Sequence, residues 1–163
     1  MRIQLPQQTL FYQLEKAMKR YRKLAQATMD STGYDISINQ MILLMNLKDN
    51  PTATQVELSD LIFKDFASIA RLVDLLVKKG LLKRKESKLD RRKKDLILTP
   101  KGHQILEEIS PLVGEYRSHA LKGFDEKEVV QMSAFLIRLI KNCEEEILVE
   151  ELGHIRISPY GIF

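Results

Sequence analysis

The middle of the chain constrains the fold most, because start and stop signals for two short helices follow one another closely there. Thr54 and Glu57 have the spacing of a capping box, which opens a helix. Asp65 can cap a second helix that runs to Lys79, where Gly80 supplies a left-handed stop. The predicted inner faces are Leu58, Leu61 and Ile62 on the first helix, and Ile69, Leu72, Val73, Leu76 and Val77 on the second. A tight turn therefore joins two amphipathic helices.

A basic hairpin is predicted directly after the second helix. Leu81–Glu86 and Lys94–Thr99 are β-prone stretches, and residues 87–92 form a polar tip between them. Residues 83–94 contain eight basic and two acidic side chains, a local net charge of +6, whereas the other 151 residues sum to −2 because the whole chain has +4. Contact with phosphates explains this charge, and a solvated lysine-rich loop explains it equally well on charge alone.

Apolar periodicity predicts two helices before this segment. The first runs from Gln8 to Met29 and is ended by Gly33. Ser37 and Gln40 match a second capping box, and the helix that they open closes at Asn50-Pro51.

Two further helices are predicted after the hairpin. Thr99-Pro100 reads as the cap and first residue of a fifth helix, in which Pro111 introduces a bend. Asp125 and Glu128 open a sixth helix, and residues 155–163 form an extended apolar tail. The apolar side of the fifth helix is Ile105, Leu106, Ile109, Leu112 and Val113, and that of the sixth is Val129, Met132, Phe135, Leu136, Leu139, Ile140, Cys143 and Ile147.

Together these elements predict a mainly α-helical fold with a small β-hairpin wing. Residues 35–100 form a winged helix-turn-helix, flanked by an N-terminal dimerisation helix in 1–34 and C-terminal dimerisation helices in 101–152, with the tail in 153–163. We predict a homodimer, because helices 1, 5 and 6 have more apolar surface than a winged helix-turn-helix of about 60 to 70 residues can bury.

The second helix of the turn has the side chains that a DNA-reading helix needs. Short residues near its start, Ala67, Ser68 and Ala70, let the backbone approach base edges in the major groove. Arg71 can donate two hydrogen bonds to guanine, and Ser68 can serve a base or a phosphate. A solvated helix face is the alternative for Arg71, and the neighbouring basic hairpin favours DNA.

Several motifs occur in the order in which MarR-type regulators have them, and over roughly residues 10–148 the chain resembles that family. The motifs are Glu57-Leu58, Arg71-Leu72-Val73-Asp74, Lys79-Gly80-Leu81, Asp90-Arg91-Arg92 and Leu98-Thr99-Pro100-Lys101-Gly102. The resemblance implies a homodimer whose first and last helices interlace. It implies that each subunit offers one winged helix-turn-helix to a pseudo-palindromic DNA operator, most commonly as a repressor.

The resemblance also implies roles for single residues. Asp90-Arg91-Arg92 corresponds to the wing motif, in which an arginine reaches the minor groove and the aspartate holds the wing by pairing with basic neighbours. Ala70 and Phe66 depart from the family, which often has a hydroxyl residue and a polar residue there. Phe66 can pack on a thymine methyl, line a ligand cavity or anchor the turn in the core, and we favour the core anchor. The predicted DNA-contacting set is Lys64, Phe66, Ala67, Ser68, Ala70, Arg71, Lys88, Asp90, Arg91, Arg92 and Lys93.

A small effector is a further expectation from the resemblance, since many relatives bind aromatic acids in a cleft beside the dimerisation helices. Core packing explains Tyr12, Tyr21, Tyr34 and Met45 at least as well as a cleft does, so no ligand residues are assigned. Cys143, the only cysteine, falls on an apolar stripe, and we predict a buried, inert thiol rather than a redox switch. We expect no metal site and no cofactor, since the three histidines, His103, His119 and His154, lack ligand spacing.

Other classes of protein are disfavoured. No apolar run approaches the roughly 18 to 20 residues of a membrane span, and residues 2–6 do not form a secretory leader, so we expect a cytoplasmic protein without a membrane partner. The sequence lacks a phosphate-binding glycine loop, paired catalytic carboxylates and a Cys-His nucleophile signature, which argues against an enzyme. A winged-helix adaptor that binds proteins instead of DNA is the main alternative, and the basic wing argues against it.

Overall fold

The predicted fold class is confirmed by a computed structural model, which describes residue 7, residues 9–86 and residues 94–144. These residues form six helices and one two-stranded antiparallel sheet. The elements are α1 (Leu10–Ser31), α2 (Ile38–Asp49), α3 (Gln55–Ile62), α4 (Phe66–Lys78), β1 (Leu82–Glu86), β2 (Lys94–Leu98), α5 (Pro100–Ala120) and α6 (Glu126–Glu144). The predicted wing tip at 87–92, Ile147 and the tail at 155–163 lie outside the described residues.

The chain divides into two compact units, Met1–Ala120 and Leu121–Phe163. The first contains α1 to α5 and the hairpin, and α6 belongs to the second.

Local capping signals fix most helix starts. Both predicted capping boxes are present: Ser37 with Gln40 opens α2, and Thr54 with Glu57 opens α3. Helix α1 begins two residues later than predicted, because the Thr9 hydroxyl accepts a hydrogen bond from the backbone N–H of Tyr12. Each cap satisfies backbone donors that have no partner inside the helix, which is why short polar residues stand at these positions.

Glycine is required where chain segments turn or meet closely. Gly33 and Gly80 have φ of 72° and 71°, in the left-handed region, which the sequence predicts for Gly80. A Cβ atom on Gly102, in the first turn of α5, would clash with the backbone carbonyl oxygen of Leu81. The α5 helix therefore packs tightly on the segment that leads into the wing.

One core joins the first five helices and the hairpin. Its fully buried members include Met29, Leu43, Leu58, Ile69, Val73, Leu76, Leu82 and Ile109. The α5 stripe, with Ile105, Leu106 and Val113, belongs to this same core. The prediction that the apolar side of helix 5 is available to a partner subunit is therefore wrong for these three residues, which are buried within the chain.

The predicted inner face of the first short helix is wrong at Leu61. This residue is 47% exposed, whereas Leu58 and Ile62 are buried. The inward side of α3 is completed instead by Ser59, whose hydroxyl donates to the backbone oxygen of Val56 at 2.6 Å. A buried hydroxyl that bonds within its own helix fits the core without a partner from elsewhere.

Helix α6 has a different character, since none of its side chains is buried within the chain. Val130, Phe135, Ile137 and Ile140 are each more than half exposed. Cys143 is exposed as well, so the predicted buried thiol is wrong for the single chain. Among the described residues no helix is long and apolar enough to cross a membrane.

Candidate nucleic-acid interface

The turn between α3 and α4 is made by Phe63, Lys64 and Asp65. Phe63 has φ of 56°, the only positive value of a described residue other than glycine, and its side chain is 85% exposed. The backbone N–H of Lys64 donates to the carbonyl oxygen of Ser59 at 3.0 Å, which closes the end of α3. A left-handed phenylalanine is uncommon and strained, so no sequence pattern predicts this conformation.

Asp65 caps α4 and also binds the side chain of Ser68. One carboxylate oxygen accepts from the backbone N–H of Ser68 at 2.8 Å, and the other accepts from the Ser68 hydroxyl at 2.7 Å. These bonds, the side-chain bond first, hold the pKa of the Asp65 carboxyl below its ordinary value. The hydroxyl proton of Ser68 is therefore committed to Asp65, and its free lone pairs can only accept hydrogen bonds.

Helix α4 separates an inner and an outer face, as its sequence predicts. Ile69, Val73 and Leu76 are fully buried. The outer face presents Ala67, Arg71, Asp74 and Lys78, all exposed. The core side is thus fixed by packing, and the outer side can meet a ligand as broad as DNA.

Arg71 lies in the second turn of the outer face. No described residue forms a hydrogen bond or an ion pair with its guanidinium. Because an arginine fork has five N–H donors, this side chain can make a planar contact with two acceptors at once.

The wing strand β1 is tied to α4 by an ion pair. Arg84 donates to Asp74 at 2.5 Å, and the two side chains are 33% and 63% exposed. In the hairpin register, Lys85 stands opposite Asp95 and Glu86 opposite Lys94. Opposite charges at facing positions compensate each other. The described strands are therefore much less basic than their lysines and arginines suggest.

The predicted DNA-contacting residues divide into two groups. Ala67 and Arg71 are exposed, and Lys64, Ser68 and Ala70 are half-buried at the start of α4 or just before it. Phe66 is 55% exposed, so the favoured interpretation of a core anchor is wrong. It lines a groove of about 350 Å³ with the loop before α3 and with β2, and the core is closed without it. The remaining members, Lys88, Asp90, Arg91, Arg92 and Lys93, lie outside the described residues.

A cleft of about 250 Å³ lies between α1, α2, the α3–α4 turn and α5. Its lining includes the aromatic residues Tyr21, Phe63 and Tyr116, the methionines Met18, Met41 and Met45, and the arginines Arg22 and Arg117. The rings of Tyr21 and Tyr116 are 5.7 Å apart, and burial raises the pKa of the Tyr116 phenol. Both arginines are exposed, so the cleft combines apolar walls with cations at its surface.

Of the four residues considered for a cleft, Tyr21 and Met45 line this one. Tyr34 lines a separate cavity, where its hydroxyl donates to Glu108, and Tyr12 lines neither of the two. Phe63, Tyr116 and Arg117 were missed, because they join the cleft only through the fold. No cluster of three histidine, cysteine or acidic side chains suited to a metal ion occurs in the part of the chain that the structure describes.

Comparison with known proteins agrees with this arrangement. Residues 34–93 match the model of the MarR family. A probable transcriptional regulator from Pseudomonas aeruginosa is 26% identical, with a TM-score of 0.73 over 81% of this chain and 97% of its own. BpsR from Bordetella bronchiseptica, whose DNA binding is regulated by 6-hydroxynicotinic acid, is 22% identical, with a TM-score of 0.76 over 89% of this chain and 100% of its own.

A further similar structure contains DNA. A MarR mutant from E. coli in complex with operator DNA is 24% identical, with a TM-score of 0.74 over 80% of this chain and 92% of that one. The family match covers the helix-turn-helix and most of the wing segment, and the similar structures extend the likeness to the outer helices. The chain is thus a DNA-binding, winged helix-turn-helix transcriptional regulator of the MarR family, a family of regulators and not of enzymes.

Proposed function

We propose that this regulator acts in the cytoplasm as a homodimeric repressor on a pseudo-palindromic operator. The recognition helix, residues 66–79, enters the major groove, and the basic wing, residues 83–94, contacts the flanking DNA. One observation supports this most: Arg71 stands exposed on the outer face of α4, opposite a fully buried stripe, with no described partner. Such a helix can enter a groove without disturbing its own core.

The two polar side chains of α4 have complementary hydrogen-bonding roles. Arg71 offers only donors, which suit the O6 and N7 acceptors of guanine. Ser68 offers only acceptors while Asp65 holds its proton, and acceptors suit the amino groups of adenine or cytosine. Ser68 and Arg71 are about one turn of α4 apart. We therefore expect the operator half-site to contain a guanine for Arg71 and a nearby base with an amino group for Ser68.

The homodimer rests on apolar surface that the single chain leaves uncovered. On α6, Val130, Phe135, Ile137 and Ile140 are 52% to 67% exposed, and Leu10 and Phe11 on α1 are 64% and 65% exposed. Isolated apolar residues on a surface are ordinary, but the concentration on α6 marks an association surface, and Leu10 and Phe11 form an apolar patch of their own on α1. A second copy of the chain is the partner that a two-half-site operator requires.

The wing supplies the first test of this proposal. Replacing both Arg91 and Arg92 with alanine should weaken binding to operator and random DNA alike. The slope of log affinity against log salt should flatten by up to about one unit for each phosphate that the protein no longer neutralises, because fewer counterions are released. Fluorescence anisotropy over a salt series gives both slopes.

The matched control removes the same charge from α1. Lys19→Ala with Lys23→Ala changes two exposed cations and should leave the slope unchanged. Equal slopes in all three proteins would mean that the wing does not touch DNA. An absence of salt-dependent DNA binding in the unmodified protein would instead favour the adaptor alternative.

The cleft supports a response to a small aromatic acid. Aromatic and methionine walls suit a flat ring, and Arg22 and Arg117 can pair with a carboxylate. Phe63 lines the cleft and stands two residues before Asp65, the cap of the recognition helix. A ligand in the cleft therefore contacts the turn that positions α4. This contact couples ligand binding to the affinity for DNA. The regulation of BpsR by an aromatic acid is in keeping with this.

Salicylate, an aromatic carboxylate, is the probe for this cleft. It should release operator DNA, and Arg117→Ala should raise the concentration needed roughly ten-fold or more, since a charged hydrogen bond contributes about 1.5 to 3 kcal/mol. Arg20→Ala, on the same helix as Arg22 but outside the cleft lining, should change nothing. The assigned role of Arg117 would be contradicted if both variants released operator DNA at the same salicylate concentration. It would also be contradicted if uncharged benzyl alcohol released the DNA as effectively as salicylate does.

A further inference from the structure

The first residue of the recognition helix is an exposed phenylalanine. Phe66 is 55% exposed, and Val56, in the first turn of α3, is 58% exposed. Both line the same groove of about 350 Å³, together with Leu96 of β2. A single exposed apolar residue is ordinary, but two large ones that line the same groove form an apolar patch, which indicates a surface that another molecule covers.

Cations flank this apolar patch. Lys94 lines the groove itself, next to Asp95, and Lys64 precedes Phe66 by two residues in the turn. Ala67, the next residue of α4, is exposed and has almost no side chain to obstruct an approach. Apolar surface between phosphate-seeking cations suits DNA better than it suits a protein partner with an apolar face.

The chemistry of the major groove limits what Phe66 can recognise there. Base edges present hydrogen-bond donors and acceptors, and the only apolar group among them is the C5-methyl of thymine. A phenylalanine cannot bond to the polar groups, but it can bury a methyl group against its ring. It therefore favours thymine over bases that lack this methyl group, a distinction that the hydrogen bonds of Arg71 and Ser68 do not make.

We propose that Phe66 is a specificity-determining residue that recognises one thymine in each operator half-site through its C5-methyl group. This inference rests on the proposed entry of α4 into the major groove. Residues of β2 line the groove beside Phe66, so we expect the thymine on the wing side of the base that Arg71 contacts.

Deoxyuridine substitution tests the proposal, since uracil differs from thymine only in lacking this methyl group. On an operator obtained by in vitro selection, each thymine is replaced in turn, symmetrically in both half-sites. At one position, replacement of thymine by uracil should weaken binding of the unmodified protein by about four-fold for each half-site. This factor corresponds to the burial of one methyl group. The Phe66→Ala protein should bind the thymine and uracil operators equally well.

Leu75→Ala is the matched control, since Leu75 is a 46% exposed apolar residue further along the same helix. This variant should keep the full preference for thymine. The proposal is overturned if no thymine position responds in the unmodified protein, or if Phe66→Ala keeps the same preference. Either result would leave the proposed function standing, provided that the operator is still bound far more tightly than random DNA. A protein without such a preference for its selected operator would instead overturn the proposed function.

Discussion

Two glutamates on the apolar side of α6, Leu136→Glu with Ile140→Glu, are expected to turn the proposed dimer into a monomer of 18.9 kDa. The two residues are four apart and therefore share one side of the helix. They are 37% and 55% exposed within the chain, so the fold of a single subunit should survive. In a dimer interface they would bury unpaired charge, which costs several kcal/mol for each ion. Light scattering at micromolar concentration measures the mass.

The matched control places the same two charges elsewhere on α6. Gln131→Glu with Asn142→Glu changes two exposed polar positions that are 11 residues, or about three turns, apart, and so on one side of the helix. This variant should keep about twice the monomer mass. A dimer that survives in the Leu136 and Ile140 variant would move the interface away from this side of α6.

Operator binding should fall with the dimer. Two half-sites that are bound by linked subunits gain affinity of roughly 100-fold to 10,000-fold over one half-site alone. The monomer should lose this factor on the operator, whereas random DNA should be affected less. A monomer that binds the operator as tightly as the dimer does would remove the basis for a two-half-site operator.

The sequence predicted the parts of the fold that depend on neighbouring residues. Capping boxes such as Ser37 with Gln40 act within one turn, and Gly80 ends a helix by its own conformational freedom. The two faces of α4 follow from helical period alone, which is why the exposure of Arg71 was predicted correctly. Local rules were sufficient at these positions.

Other features depend on contacts between distant segments, which no local pattern encodes. Asp74 and Arg84 are ten residues apart and pair only because β1 returns to α4. The cleft joins Tyr21 to Tyr116 across two helices. Phe66 has the apolar character of a core residue. The folded structure nevertheless packs its core from other side chains and leaves Phe66 exposed.

Cys143 shows a different limit. Its apolar stripe predicts burial, but a stripe does not say whether the same chain or another copy covers it. Within the chain no described side chain of the stripe is buried. Whether a second copy buries it is the question that the α6 variants test.

Replacing Arg71 with alanine is expected to relax sequence preference more than it weakens general affinity. A bidentate contact to guanine contributes roughly 1 to 3 kcal/mol of discrimination, and a dimer would forgo it in both half-sites. Operator affinity should therefore fall by roughly 30-fold to 20,000-fold, because each 1.4 kcal/mol is a factor of ten. Affinity for random DNA should fall only by the effect of one phosphate-like charge in each subunit. Anisotropy titrations at fixed salt measure both affinities.

Two further variants separate the shape of the side chain from its charge. Arg71→Lys keeps the cation but lacks the planar fork, so it should retain affinity for random DNA and still lose most of the operator preference. Lys78→Ala removes a cation from the same exposed face nearly two turns later, and should reduce both affinities by the same small factor. If Arg71→Ala behaves like Lys78→Ala, the guanidinium is a phosphate clamp and not a base reader. Sequence preference would then have to come from Ser68, Phe66 or the shape of the DNA.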